Sequence, residues 1–489
     1  MLVQVMGRTQ WVAAWAVFAF AFALRLLSED YLQNDHFMHL AWSRQLLAGD
    51  VPVRDFLDPG MPLSYLASAV AQRLLGPTEF AEVLLCSAGL ALAAALSFVL
   101  GTRLSGSAWL GLLAAALQVV MAPRLYAYPR LLIPVVALWV FGAYAGRPDV
   151  WRRWLLAVLG VVAFLFRHDY GIAVAAGALV LVGTLHRPHW RVALRQVASC
   201  AGMALLLLLP WLLFWQMHGG IASYLRGGVS FAVADRVVGG TWDLGRRPWF
   251  SRQPPPLTPR RWEVGVRWAD GMTEAEIRAA ATSLQLVDAR HEADQTWRYL
   301  LAAAAELGSI GRVLAATGWP LGPSGAMAHA REHIRDLRLE PPIERFGRPG
   351  AQRHALGKVA RYVRDCTRPS DRLMVTWFAP ELYFYTERPF AAGVTFLDKG
   401  FFSSERDQRL AVPRLDSQTV PIILVAVDRY DGTFRSTYPF VHDYLNRSYR
   451  LVAEFGSEGG SDPPVGVLVS RRATAEGVHQ TMGLPCFRS

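Results

Sequence analysis

Asp35, in the run QNDHF just beyond the first apolar stretch, is a residue type that does proton chemistry at a bilayer surface. A carboxylate is ionised at neutral pH, and partial desolvation raises its pKa toward the useful range for a general base. The plain alternative is that Asp35 caps a helix beginning near Phe37. His36 and His39 offer ligand or proton-shuttle chemistry, although solvated or lipid-facing histidine fits the same spacing. Further along the loop, RDFLDPGMPLSY sets Asp55 and Asp58 three residues apart before a Pro-Gly turn and closes on Tyr65. Two such carboxylates can bind a cation or hold sugar hydroxyls; otherwise Asp58 caps the turn while Pro59 and Pro62 stiffen the entry to a helix.

A second group, Arg167, His168 and Asp169, stands between two long apolar runs. Charge buried in a membrane region costs several kcal/mol, roughly, so residues of this kind mark function there. Arg167 suits a phosphate through its several donors, or else it snorkels to head groups from a short loop. Arg124 and Arg130, flanking Tyr126 and Tyr128, add positive charge on the same face. In the second half of the chain Glu381, Tyr383 and Tyr385 are candidates for an acceptor site, while their spacing also matches one face of a strand.

The elements that must position these groups are membrane helices. Candidate spans are 11–27, 80–101, 107–122, 125–145, 151–166, 169–185 and 193–216, about seven in all. The shorter stretch MPLSYLASAVAQRLL, 61–75, fits a helix lying at the interface. The first span reaches Leu27 without a small-residue cleavage site and reads as retained. With Arg8 inside, the inner connections carry Arg103, then Arg147, Arg152 and Arg153, then Arg187, Arg191 and Arg195. The outer side receives Arg44, Arg54, Arg73, Arg124, Arg130 and Arg167. The short inner connections are the more densely basic, which puts the first loop, the RHD segment and everything after Trp215 outside the cytoplasm.

The 489 residues are 53% hydrophobic, and the apolar residues gather in the first half. A net charge of +11 raises the question of nucleic acid, but finger spacings and Lys-rich tracts are lacking. Anionic lipid head groups are the expected partner for the charge, and no nucleic acid is expected. Cys86 and Cys200 lie in apolar stretches as small hydrophobes. Cys366 and Cys486 share the polar half and are able to pair if that half is extracytoplasmic; no CxxC metal spacing occurs.

The polar half begins with a stretch, 217–354, that reads as linker and helical region, including the Arg-, Trp- and Pro-rich strap RRPWFSRQPPPLTPRRWE. Within it 273–289 and 293–317 look helical, the latter being a marginal eighth span opposed by Glu306 and Arg312. From 355 to 489 an amphipathic helix, ALGKVARYVRDCT, alternates with short apolar strands, RLMVTWF and PIILVAV, which predicts a small α/β domain. A Gly-rich nucleotide loop after a strand is lacking.

Asp35 followed by HLAWSRQLLAGDVPVRDFLDPGMPLSY resembles the first outer loop of polytopic glycosyltransferases of the GT-C type. The branch it is most similar to contains bacterial relatives of protein O-mannosyltransferases and the lipid A aminoarabinose transferases. The family places a catalytic Asp in this loop, and Asp35 matches it; Arg54, Asp55, Phe56, Asp58, Pro62, Leu63 and Tyr65 fit its second element. Many members carry Asp-Glu where this chain has Asp35-His36. The resemblance covers roughly 10–216 and implies a polyprenyl-phosphate sugar donor, with a soluble extracytoplasmic domain after the membrane body.

The fold class expected is thus an α-helical polytopic membrane domain, GT-C-like, over 1–216, followed by an extracytoplasmic α/β domain. The function expected is an inverting transferase in a bacterial inner membrane, moving a sugar from a polyprenyl-phosphate carrier to a glycan, lipid or protein acceptor. Asp35 is the expected catalytic base, with His36, Asp55, Asp58, Tyr65, Arg130, Arg167, His168 and Asp169 binding substrate. No cofactor is demanded, and a divalent cation is compatible with the loop. The rivals are a transporter or flippase of lipid-linked glycans, which needs ionisable residues in mid-span, and a non-catalytic envelope assembly protein.

Overall fold

The computed structural model describes residues 7–28, 32, 34–121, 124–187, 189–240, 261–267, 286–291, 296–302, 322–339, 342–346, 354–456 and 463–488. Two compact units divide the chain, one combining 1–239 with 331–489 and the other spanning 240–330.

The larger unit opens with a helical body. Helix α1 (Arg8–Ser28) is followed by α2 (Asn34–Leu47), α3 (Pro62–Leu75), α4 (Glu79–Ser105) and α5 (Ala108–Val120). After a single 3-10 turn, Leu125–Ala127, come α6 (Tyr128–Gly146), α7 (Val150–Phe166), α8 (His168–Leu185), α9 (Trp190–His218) and α10 (Ile221–Gly240). Among the described residues five helical segments, Arg8–Leu27, Glu79–Ser105, Leu125–Gly146, His168–Leu185 and Trp190–His218, are long and apolar enough to cross a membrane. The chain is therefore an integral membrane protein. The stretches at 107–122 and 151–166 form α5 and α7, apolar helices of 13 and 17 residues packed in the same body.

Large apolar side chains point outward from these helices, among them Trp15, Phe20, Trp109, Leu113, Leu179 and Leu206. Such a surface is stable only against lipid. Contacts between the helices rely instead on small residues, as expected where lipid is as apolar as leucine. Ala21 of α1 meets Ala91 and Ala94 of α4. A Cβ on Gly111 of α5 would lie 2.5 Å from the Phe98 carbonyl oxygen of α4, so only glycine permits that approach. Short connections have local causes. Asp149 caps α7 by accepting from the Arg152 backbone N–H at 3.0 Å, and Arg167 alone, in extended conformation, separates α7 from α8.

The carboxy-terminal part of the same unit adds α11 (Gly322–Leu339) from Arg331 onward, α12 (Pro342–Phe346), α13 (His354–Cys366), α14 (Glu381–Tyr385), α15 (Glu405–Ser417) and α16 (Pro439–Ser448). Its sheet contains β4 (Leu373–Val375), β5 (Ile422–Ala426), β6 (Tyr449–Phe455) and β7 (Val465–Ser470) in the order β4-β5-β7-β6. The first pair is parallel and the other two antiparallel. Every residue of β5 is buried, and its side chains alternate between two cores. Ile422 and Leu424 join one, Ile423 and Val425 the other. The first core is continuous with Phe37, Leu40, Trp42, Phe56 and Tyr65, so the sheet and the first loop share one hydrophobic interior. Cys366 and Cys486 form a disulfide with Cα atoms 4.3 Å apart.

Three differences from the sequence expectations stand out. The predicted helices at 273–289 and 293–317 contain strands instead, β2 (Leu286–His291) and β3 (Thr296–Ala302), paired with β1 (Arg261–Arg267) as an antiparallel sheet in the smaller unit. Trp297, Tyr299 and Leu301 alternate at period two with strong strand formers, and cross-strand pairing decides the outcome. An eighth span cannot include that strand; the remainder of both stretches, and nearly all of the Pro-rich strap, lie outside the described residues. The strand face suggested for Glu381, Tyr383 and Tyr385 is a short helix, α14, in which all three are buried. Asp35 lies within the first turn of α2, which begins at Asn34, rather than before a helix starting at Phe37.

Candidate active site

Asp35 sits where α2 begins, a position at which the helix dipole favours negative charge. Its Oδ2 accepts from the Tyr126 hydroxyl at 2.7 Å and from Arg124 Nη1 at 3.3 Å. The carboxylate is 44% exposed, so a substrate can reach it. Both partners come from the turn entering α6, which places that turn over the start of α2. His39, one turn along α2, stacks against Tyr126 with ring centroids 6.3 Å apart. Loss of hydration pushes His39 down to about 4, helped by His36 and Arg167 and opposed by Glu82 and Asp35. It is therefore neutral at pH 7, and both Asp35 and Arg167 act electrostatically on this one ring.

His36 turns the other way, into the protein. Its Nε2 lies 3.1 Å from Glu82 Oε1 of α4 and 3.5 Å from Cys86 Sγ. Ser68 of α3 donates to the same Glu82 oxygen at 2.9 Å. All of these side chains are buried.

The segment RDFLDPG is held by its own hydrogen bonds. Asp55 accepts from Arg54 Nε at 2.8 Å and from the Val51 N–H at 2.8 Å, and the Arg54 hydrogen bond holds its carboxyl below the usual range. Asp58 is buried; Oδ1 accepts from the Gly60 N–H at 2.7 Å and Oδ2 from the Tyr65 hydroxyl at 2.6 Å. Burial pushes Asp58 up to about 6 despite those bonds, and the Tyr65 hydroxyl is pushed well above its ordinary value, first by burial and then by Asp58. Asp55 and Asp58 thus serve separate partners, and Asp58 shapes the turn.

That turn rests on the RHD segment. Gly60 has φ +91°, and a Cβ there would lie 2.6 Å from two atoms of the His168 ring. The ring is stacked on Phe164 at 4.3 Å, and its Nε2 lies 2.9 Å from the buried Tyr224 hydroxyl of α10. Ser64 of α3 donates to the Phe166 carbonyl at 2.9 Å. Arg167 is exposed, pairs with exposed Asp169 at 3.0 Å and lies over the Tyr170 ring. Exposed Arg130 also acts electrostatically on Tyr170, and it makes no hydrogen bond or ion pair with the described residues. Arg124 and Arg167 therefore border the region reached by Asp35 and His39, and Arg130 shares the Tyr170 neighbourhood with Arg167. An apolar groove of about 520 Å³ lies between α3 and α4, lined by Leu63, Leu66, Leu74 and Leu85 among others, with Phe166, the residue before Arg167, also in its wall.

The carboxy-terminal region closes the back of the loop. Arg44 donates to the Phe384 carbonyl at 2.9 Å, Tyr385 to Glu79 at 2.9 Å, and Arg372 grips both Asp50 oxygens at 2.7 Å. Phe37 packs on Phe384 and Tyr385. Glu82, Ser68 and Tyr224 are not among the residues singled out from sequence, and Cys86 is read there only as a small hydrophobe. An acid inside an apolar run, as in EFAEVLLC, is the signal that points to Glu82; Tyr224 has none.

Against known proteins, no family model matches the chain, and no curated protein matches it. Among solved structures it is similar to the crystal structure of ArnT from Cupriavidus metallidurans bound to undecaprenyl phosphate. The identity is 17% and the TM-score 0.46, over 94% of this chain and 98% of that one.

Proposed function

We propose that the chain is a polytopic membrane glycosyltransferase that moves a sugar from a polyprenyl-phosphate carrier to an extracytoplasmic glycan, lipid or protein, with inversion at the anomeric carbon. The observation that carries this is the meeting of one reachable carboxylate, Asp35, with a border of exposed arginines on a single face. The first-loop sequence pattern supports the same class.

In this mechanism Asp35 takes the proton of the acceptor hydroxyl as that oxygen bonds to the anomeric carbon. The carbon–oxygen bond to the phosphate breaks, and the electron pair leaves with the polyprenyl phosphate. Arg130 and Arg167 offset the charge gathering on that phosphate. The Tyr126 hydroxyl orients the carboxylate through its 2.7 Å hydrogen bond. The groove between α3 and α4 suits a polyprenyl chain whose phosphate lies at Arg167. The Cys366–Cys486 disulfide supports an oxidising, extracytoplasmic location for the carboxy-terminal region.

The test is incubation of purified protein in lipid nanodiscs with a panel of radiolabelled polyprenyl-phosphate sugars. Product formed by wild type and abolished in Asp35→Asn, with carrier binding retained, supports the reading. Equal turnover by both proteins removes Asp35 from the mechanism.

A further inference from the structure

His36 of α2 and Glu82 and Cys86 of α4 converge beneath Asp35. Glu82 and Cys86 are four residues apart, so one face of α4 presents both. The three ligand atoms form a triangle with edges of 3.1 Å (Nε2 to Oε1), 3.5 Å (Nε2 to Sγ) and 3.7 Å (Sγ to Oε1). Tetrahedral zinc with bonds of about 2.0–2.3 Å to nitrogen, oxygen and sulfur requires edges of about 3.3–3.6 Å. The 3.5 Å edge falls within that range and the 3.1 and 3.7 Å edges lie just outside it, so the triangle approximates one face of that tetrahedron.

Hydrogen bonding alone accounts for the His36–Glu82 edge, but it leaves two facts unexplained. Glu82 Oε2 is fully buried and has no partner among the described residues, an expensive state for a carboxylate. A thiol is also a weak hydrogen-bonding partner for the other two vertices. A divalent ion held by Nε2, Oε1 and Sγ accounts for the thiol's place and, by pairing the carboxylate's charge, offsets the cost of burying Oε2. With Glu82 ionised and Cys86 as thiolate, its two charges are balanced and the buried site is neutral. Ser68, donating to Glu82 Oε1 at 2.9 Å, is then the outer partner that orients a ligating carboxylate.

We propose that His36, Glu82 and Cys86 form a buried site for a zinc-class divalent transition metal that joins α2 to α4. Binding replaces the Cys86 proton, which is released to solvent, and three protein ligands leave a fourth corner for water. His36 adjoins Asp35, and its ring meets the edge of Tyr126 at 5.9 Å. The metal therefore fixes the turn of α2 that carries Asp35, as a positioning device. The proposal stands independently of the transferase assignment.

The experiment loads the full-length protein in detergent with Co²⁺ as probe. It reads bound metal by elemental analysis and thiolate-to-cobalt charge transfer by absorption. Wild type is expected to take up about one ion per chain with a thiolate band, as is Cys200→Ser, the other reduced cysteine. His36→Gln and Glu82→Gln should bind at least ten-fold more weakly, and Ser68→Ala about ten-fold more weakly with the band kept. Cys86→Asp should keep the metal and lose the band, which separates loss of a ligand from loss of the fold. Uptake by wild type no greater than by the His36→Gln, Glu82→Gln double variant overturns the proposal, as does a thiolate band that survives in Cys86→Asp.

Discussion

Replacing Gly60 by alanine tests whether the first loop and the RHD segment form one structure. At φ +91° an L-residue is strained by about 1–2 kcal/mol. The new methyl would also lie 2.6 Å from two atoms of the His168 ring. The ring has little freedom to yield, since Phe164 stacks on one face and Tyr224 holds Nε2 at 2.9 Å. Overpacking of this kind costs about 1–3 kcal/mol, and breaking the Tyr224 hydrogen bond about 1 kcal/mol more. Gly60→Ala should therefore lose about 3–6 kcal/mol of stability in wild type. In a His168→Ala background only the backbone strain remains, about 1–2 kcal/mol. The coupling from the double-mutant cycle, about 2–4 kcal/mol, measures the contact itself. Unfolding in mixed micelles, titrated with denaturing detergent and followed by tryptophan fluorescence, supplies the four free energies. Equal costs of Gly60→Ala in the two backgrounds would refute the placement of His168 under the turn.

Asp35→Asn should lower turnover about 10²–10⁴-fold while leaving carrier affinity within a few-fold, measured with labelled polyprenyl-phosphate sugar. Arg372→Ala strips partly buried Asp50 of its two-point partner and leaves it Gln45 at 2.9 Å, so the loss should be about 2–3 kcal/mol by detergent titration; no loss would show the pair to be idle. Asp58 titrates near 6 when folded and near 3.8 otherwise, so the folded state holds its proton more tightly. Its contribution is most favourable when protonated, declines as pH rises from about 4 to 6 by about 3 kcal/mol, and is flat above 7. Melting curves of wild type and Asp58→Asn should diverge across that window, and parallel curves would contradict the burial of Asp58. Cys366→Ser opens a cross-link spanning 120 residues and should cost about 3–5 kcal/mol, with alkylation after denaturation showing one additional thiol.

The membrane helices were legible because long apolar runs admit few alternatives, and α4 and α9 fall where hydropathy places them. Strand β5 and helix α13 were legible for a related reason, their apolar periods being distinct. The region around 297 was misread because WRYLLA satisfies helix and strand patterns alike, and pairing with a distant strand decides between them. At the site, charged residues in apolar surroundings drew attention to Asp35 and to Arg167. Their partners were harder to see. Tyr126 binds Asp35 across 91 residues and Tyr224 reaches His168 across 56, separations that no local pattern encodes. Asp58 shows the opposite limit, for its neighbours Gly60 and Tyr65 were in plain view while its burial was not.

The common interior of the first loop and the carboxy-terminal sheet dictates an order of assembly. Phe37, Phe56 and Tyr65 pack in one cluster with Leu373, Leu424 and Val469, although hundreds of residues separate them along the chain. Strand β7, which follows β6 along the chain, occupies an inner place between β5 and β6. Until β7 is made, the loop bearing Asp35 lacks the sheet it packs upon, even with every earlier helix already inserted. Contacts so remote in sequence form late and slowly. Completion of the loop thus waits on β7, and a chain that stalls before residue 465 leaves part of its first loop uncovered.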